Sequence, residues 1–342
     1  MIELVVQICL AAQPAVCATH VLPGAGPCVE ARAADWVAER PGLVLAEARC
    51  APLDQAVTPL QVAEVAPGVF VHQGRLALAD AANGGDIANI GFVIGSEAVA
   101  AIDAGGTRAV GEALYAAIRA RTDLPIRWLV LTHMHPDHVF GAEVLEEAGA
   151  TVIGHARLPA ALANRAESYA AALAREVGPE AGLASRIVLP GATVESSRTL
   201  DLGGRQLVLE AWPTAHTDND LSALDTATST WWLGDLVFDR HTPVVDGSAL
   251  GWIELLDHLA ARPAARIVPG HGAATLAWPE GAAAVGAYLE ALVAETREAL
   301  AEGESLGAAT RHLGADLRDD WLLFDAFNAR NATAVYRELE WE

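Results

Sequence analysis

Between Thr132 and His138 the sequence reads Thr-His-Met-His-Pro-Asp-His, directly after the apolar run IRWLVL. Three imidazoles and one carboxylate therefore crowd the carboxyl end of a buried strand, a cluster that packing does not explain. His133 and His135 are two apart on an extended segment leaving that strand, so both point the same way. Asp137 and His138 lie one turn further, where the chain starts a helix. One short loop can thus offer donors to two adjacent ions. Further donors fall at expected strand ends: His216 in WPTAHTDND, Asp235 in WWLGDLVF, and His271 in IVPGHG. Pro269, Gly270 and Gly272 set a tight turn around the last. Each alone is an ordinary loop residue, but together with the first cluster they specify divalent-metal chemistry. Imidazole and carboxylate without thiolate suit zinc, and also iron or manganese.

These residues need elements to hold them. Residues 2–10 alternate as a strand, with Ile2, Leu4, Val6 and Ile8 on one face. A Pro/Gly-rich turn follows at 23–27, then a helix from Val29 to Glu39 and a strand from Leu43 to Cys50. That strand–helix–strand unit, residues 1–52, is a small cysteine-bearing module, and Ala51–Pro59 reads as its linker. From residue 60 to 342 many short strands alternate with helices. Strands are expected at Gly68–Gln73, Ile90–Ile94, Ala98–Asp103, Ile126–Leu131, 205–211, 221–227, 231–237 and 266–268. Helices are expected at Thr107–Arg121 and Ala156–Val177, and through most of 279–342. Hairpins first, then strand–helix alternation, twice over, fit an α/β (α+β) four-layer αββα sandwich better than a doubly wound sheet.

Composition bounds the partners. The chain has 342 residues and a formal charge of −22, and its basic side chains are all arginine. Such a surface repels phosphate backbones and anionic lipid, which disfavours nucleic acid and membrane and leaves a small-molecule substrate. No apolar run is long enough to span a bilayer. The start lacks a basic n-region, carries Glu3 and Gln7 in its apolar stretch, and offers no clean cleavage site, which leaves a cytoplasmic setting open. The four cysteines, Cys9, Cys17, Cys28 and Cys50, argue the other way. Clustered in the first fifty residues, they allow three disulfide pairings and point to an oxidising compartment. They lack the paired C-x-x-C of a structural zinc site.

In order, H-x-H-x-D-H, then His, then G-D, then G-H-G resembles the metallo-β-lactamase superfamily across roughly residues 60–280. The resemblance implies one metal site at His133, His135 and His216 and a second at Asp137, His138 and His271. It places Asp235 as the carboxylate bridging two ions, as in glyoxalase II-like members. Members that hydrolyse β-lactams usually carry cysteine or serine there, so the aspartate points to ester, thioester or related substrates. The implied chemistry is attack by a metal-bound hydroxide, with Asp137 and Asp235 as catalytic residues and two zinc ions per chain. His241, six residues after Asp235 in FDRHTPV, falls near the metal mouth and is a further candidate catalytic residue through contact with substrate. Asp103 in AIDAGG matches an aspartate supporting the metal loop. Thr132, Thr217 and Asp220 are candidates to hydrogen-bond ligand rings. His72, Asp86 and Asn89 are candidate substrate contacts, and Arg127, Arg157 and Arg165 candidates for an anionic substrate. His20, His155, His258 and His312 read as structural or surface residues, and one ring of Trp231–Trp232 as core.

The blocks RPGLVLAEARC, EVAPGVFVHQG, NGGDIANIGFVIG, RTDLPIRWLVLTHMHPDHVFGAEV and HTDNDLSALD look more closely like the quinoprotein relay system zinc metallohydrolases. That resemblance spans nearly the whole chain and implies a periplasmic setting and a functional link to a quinoprotein dehydrogenase. The competing expectations are a mononuclear iron, sulfur dioxygenase-like oxidoreductase and a non-enzymatic, metal-dependent accessory or assembly factor.

Overall fold

The structure is a computed structural model and describes residues 1–24 and 27–342. Part of the expected turn at 23–27, Ala25 and Gly26, lies outside the described residues. Three strands open the chain: β1 (Ile2–Leu10), β2 (Gln13–Leu22) and β3 (Leu43–Pro52), paired in the order β2-β1-β3. A seven-stranded sheet follows, from β4 (Ala63–Ala66), β5 (Val69–His72), β6 (Ile90–Ile94), β7 (Val99–Ile102), β8 (Ile126–Val130), β9 (Thr151–His155) and β10 (Ala192–Val194). Its spatial order runs from β10 to β4 in sequence. The five-stranded sheet contains β11 (Ser197–Asp201), β12 (Gln206–Ala211), β13 (Leu221–Asp225), β14 (Thr230–Phe238) and β15 (Arg266–His271), in that order.

Helices fall where parallel neighbours demand a crossover. Before the sandwich stand α1 (Arg32–Ala38) and α2 (Leu53–Ala56). Between the parallel pair β7 and β8 runs α3 (Arg108–Arg119), capped by Thr107, whose hydroxyl accepts from Val110 N. Between β8 and β9 come α4 (Pro136–Val139) and α5 (Ala142–Glu147), and between β9 and β10 come α6 (Leu158–Glu176) and α7 (Gly178–Ala181). In the second sheet α8 (Ala249–Ala260) joins β14 to its parallel neighbour β15. After β15 the chain is helical: α9 (Ala283–Ala301), α10 (Leu306–Ala309) and α11 (Phe324–Leu339).

Three apolar layers hold these elements. Val93, Ala100, Ile102 and Val130 meet Leu207, Leu209, Trp232 and Val268 between the sheets. Ile90, Phe92 and Leu129 pack under Leu114, Ile118 and Val144 of α3 and α5. Trp231, Leu233 and Val237 pack under Trp252, Leu289 and Val335 of α8, α9 and α11. That is the expected helix–sheet–sheet–helix sandwich. Because β14 is covered on both sides, both rings of the tryptophan pair are buried, not one, and each enters a different layer.

The N-terminal sheet is three-stranded because β2, absent from the expected strand–helix–strand unit, folds back on β1. It carries Pro14 on an exposed edge and buries only its last three residues, so little periodic signal marks it. The helix begins at Arg32 rather than Val29, and β3 runs on to Pro52 before α2 turns within the expected linker. The strands β4, β9, β10 and β11 were likewise not expected. Cysteines pair as Cys9–Cys17 across the β1–β2 hairpin and Cys28–Cys50 onto β3. Two disulfides point to an oxidising compartment, and no helix among the described residues is long and apolar enough to cross a membrane.

A buried ionic seam joins this sheet to α3 and α5. Arg108, with no exposed surface, donates to Glu112 at 3.0 Å, Glu143 at 2.9 Å, Glu147 at 2.6 Å and the β2 carbonyl of Val21 at 2.8 Å. Arg40 reaches Glu143 and stacks on Trp36, whose indole donates to Glu147. His20, also buried, sits 3.1 Å from Glu112. Tyr115 donates to Glu3 at 2.6 Å.

Candidate metal centre

The expected donors, from both halves of the chain, converge at one edge of the sandwich. His133 and His135 lie on the loop after β8, Asp137 and His138 on α4, and His216 on the loop between β12 and β13. His271 ends β15, as expected. Asp235 lies within β14, at a break in its register with β15 between Trp232 and Phe238. The break lets the strand carry a polar side chain at a level where the next sheet position is buried.

Two groups of donor atoms form: His133, His135, His216 and Asp235 in one, and Asp137, His138 and His271 in the other. Asp235 faces both. Its Oδ2 lies 3.7 Å from His133 Nε2, 3.5 Å from His216 Nε2 and 3.4 Å from His271 Nε2, and its Oδ1 lies 3.2 Å from His138 Nε2. Asp137 Oδ2 sits 3.3 Å from His271 Nε2. His135 Nδ1 and His216 Nε2 are 3.1 Å apart.

The far nitrogen of each ring is held. His133 Nδ1 meets the Thr132 hydroxyl at 3.0 Å, and His138 Nδ1 meets Asp103 at 2.8 Å. His216 Nδ1 donates to Val244 O at 2.6 Å, and His271 Nδ1 to Ile87 O at 2.9 Å. His135 Nε2 sits 3.1 Å from Asp246. Asp103 also accepts from Thr132 N and its hydroxyl, so it braces the loop as expected. Ring nitrogens fixed from behind orient the opposite nitrogens, the arrangement that ligated histidines require.

Charge is arranged to match. Burial pushes Asp235 up, but the His271 and His138 rings overcome it and hold the carboxyl well below its usual range. Burial likewise opposes charge on His138 and His271, yet Asp235 and its neighbours win: His138 rises well above 6.5 and His271 to about 9. Burial keeps His133 well below its ordinary value and brings His216 to about 3. The same nitrogens that the carboxylates make electron-rich toward a proton would attract a cation in its place. His133 Nε2, His138 Nε2 and Asp235 Oδ1 are buried without a hydrogen-bond partner. Such atoms cost about 1–3 kcal/mol each unless something else satisfies them, and a cation at this point does so. The donor set therefore fits a metal.

Gly270 makes the arrangement sterically feasible, because a Cβ there would collide with Asp235 Oδ1 and its backbone N. Gly270→Ala should leave the fold intact yet weaken metal binding at least about tenfold by displacing that carboxylate. Circular dichroism beside zinc content per chain checks this; wild-type zinc content would refute it.

Several expected roles change. Thr217 Oγ1 donates to Asp220, and Asp220 also accepts from Thr217 N. Both stiffen the His216 loop, and neither bonds a ring. Asn89 donates to Pro269 O and Ala273 O, and His72 bonds Asp86 and Gln61 O. These three pin the loop 73–89 from inside and do not line the cavity. Arg127, Arg157 and Arg165 are also absent from its wall; Arg330 of α11 is there instead. Of the remaining histidines, His258 and His312 are exposed, while His20 and His155 are buried.

The His72 ring is partly held down by burial, but Asp86 prevails and raises its pKa above 6.5. A raised folded-state value contributes stability that is complete below pH 6.5 and lost as pH rises through that higher value. The wild-type melting temperature should therefore decline more steeply between pH 6 and 8 than that of His72→Gln. Parallel curves would refute the pairing.

A cavity of about 370 Å³ opens onto the donors. His135, Asp137, Asp235, His241 and His271 form its floor; Leu78, Ile87, Leu173, Phe238 and Phe327 form apolar walls. His241 lies 4.8 Å from the His271 ring, and its Nδ1 donates to Thr242 O at 2.7 Å. Burial, aided by the His271 charge, lowers it to about 4, so its ring is neutral and Nε2 is an acceptor. Asp246 and Arg330 were not legible beforehand. No local pattern ties Asp246 to a ring 111 positions away.

The sequence model of the metallo-beta-lactamase superfamily matches residues 83–271, more than half of the chain, and the chain belongs to that superfamily. Among solved structures it is similar to the metallo-beta-lactamase from Pontibacter korlensis, at 20% identity and a TM-score of 0.55. That match covers 68% of this chain and 99% of the other. It is also similar to the stereoselective inverting sec-alkylsulfatase Pisa1 from Pseudomonas sp., at 16% identity and a TM-score of 0.60. There 82% of this chain aligns with 50% of that one. These likenesses show the fold. No curated protein matches.

Proposed function

We propose that the chain is a dinuclear zinc hydrolase of a small-molecule ester, thioester or similar bond. The observation that supports this most directly is Asp235, whose carboxylate faces rings of both donor groups while one of its oxygens lacks a partner. His133, His135 and His216 would hold one ion and Asp137, His138 and His271 the other, with Asp235 shared. When bound, the pair supplies an activated water at neutral pH and polarises the bond to be cleaved. Asp137, a ligand on the cavity floor, would also orient the attacking water. His241 Nε2 offers a substrate an acceptor, and the apolar walls exclude bulk water. A cavity open to the donors favours turnover over a purely structural metal, which would sit closed.

The five sequence blocks quoted above resemble those of the quinoprotein relay system zinc metallohydrolases. With the two disulfides, this supports a periplasmic hydrolase serving a quinoprotein dehydrogenase. The test is metal content after purification without added metal, followed by a screen of esters, thioesters and lactams. About two zinc ions per chain with ester or thioester turnover is the expected outcome. One iron per chain with oxygen-consuming thiol chemistry would overturn the reading.

A further inference from the structure

Residues 243–249, joining β14 to α8, approach the first donor group from behind. Val244 O accepts from His216 Nδ1, Asp246 Oδ2 meets His135 Nε2, and Asp246 N donates to His216 O at 3.0 Å. This segment is held in turn by three residues of α11. Asn331 donates to Pro243 O at 2.6 Å and accepts from Val245 N at 3.0 Å. Arg330 Nη2 donates to Asp246 Oδ1 at 3.0 Å. Glu338 accepts from the Ser248 hydroxyl and from Ala249 N. Asn331 is fully buried, and its amide also donates to the Tyr288 hydroxyl of α9.

The second donor group is braced elsewhere. His138 rests on Asp103 beside β7, and His271 on Ile87 O in the loop before β6. Among the described residues, neither ring hydrogen-bonds to α11 or to the segment it clamps.

We infer that α11 is a positioning element for the first metal site alone, acting through residues 243–249. The Arg330–Asp246 pair sets the plane of the His135 ring, and Asn331 sets the height of the Val244 carbonyl under His216. A carboxylate fixed at both oxygens orients a ring better than one fixed at a single oxygen. The second site keeps its affinity when this clamp is loosened. The inference rests on reading the two donor groups as metal sites.

The test is titration of the metal-depleted, full-length protein with cobalt(II), following the visible spectrum of each binding event, with zinc competition against a chromophoric chelator. His216→Ala and His271→Ala identify which event belongs to which site. Arg330 is half exposed, so Arg330→Ala keeps the fold, and circular dichroism verifies this. Arg330→Ala and Asp246→Ala should weaken the event lost in His216→Ala by about tenfold to a hundredfold, and the other by less than about twofold. Arg330→Lys, which retains a donor for Asp246, should recover most of the loss. Equal weakening of both events, or no change in either, overturns the role of α11. A wild-type protein that binds no cobalt overturns the metal reading itself, and the inference with it.

Discussion

Asp235→Asn is expected to lower turnover of the best substrate at least about a thousandfold while leaving the fold in place. The amide preserves shape and volume but removes the one charge that faces His133, His138, His216 and His271 together. A metal pair contributes several kcal/mol of charge stabilisation to a hydrolytic transition state. Each 1.36 kcal/mol is a factor of about ten, so losing the shared ligand reaches three decades. Zinc content should fall together with turnover. Steady-state kinetics on the purified variant, with metal analysis of the same sample, checks both; a fall of less than tenfold would remove Asp235 from the centre of the chemistry.

Arg108→Met should be the most destabilising single change away from the site. Its guanidinium is fully buried and contacts Glu112, Glu143 and Glu147 at once, besides the Val21 carbonyl. Removing it takes the central cation from Glu112, Glu143 and Glu147, leaving guanidinium contacts from Arg40 and Arg186 on Glu143 at the seam between the N-terminal sheet and α3 and α5. Removing one partner of a buried ionic set typically costs about 3–5 kcal/mol. Arg108→Lys should recover only part of that, because one ammonium cannot reproduce a planar fork. Urea unfolding gives the value; a loss under about 1 kcal/mol would mean that the seam relaxes or hydrates freely.

How much of this was legible follows from what each residue must do. The donor loop was legible because four ligand-type side chains within six positions have no packing rationale. The sandwich was legible because β6, β7, β8, β12 and β14 are buried enough to read as continuous or alternating apolar runs. The strands that escaped notice are mostly edges. β2, β4, β10 and β11 each end a sheet, pair on one side only, and carry polar, proline or alanine residues that blur a period of two. Asp246, Arg330 and Asn331 escaped for another reason. They act through contacts about 80 to 110 positions apart, for which one sequence carries no local signal. Short polar residues beside a ligand, such as Thr217 and Asp220, suggest contacts with its ring. In the folded loop they satisfy each other first, three positions apart.

His133, His135, Asp137 and His138 follow the seven-stranded sheet, whereas His216, Asp235 and His271 belong to the five-stranded one. A cation held among them is in effect a rivet through the sandwich, seated only when both halves are docked. Any ligand bound by the folded state alone adds RT ln(1 + [L]/Kd) to its stability, about 2.7 kcal/mol at a hundredfold excess over Kd. On the proposed function, metal supply would then set durability as well as catalytic competence. Chains starved of zinc should melt earlier and fall sooner to proteolysis, so the amount of this protein would track metal availability without any dedicated sensor.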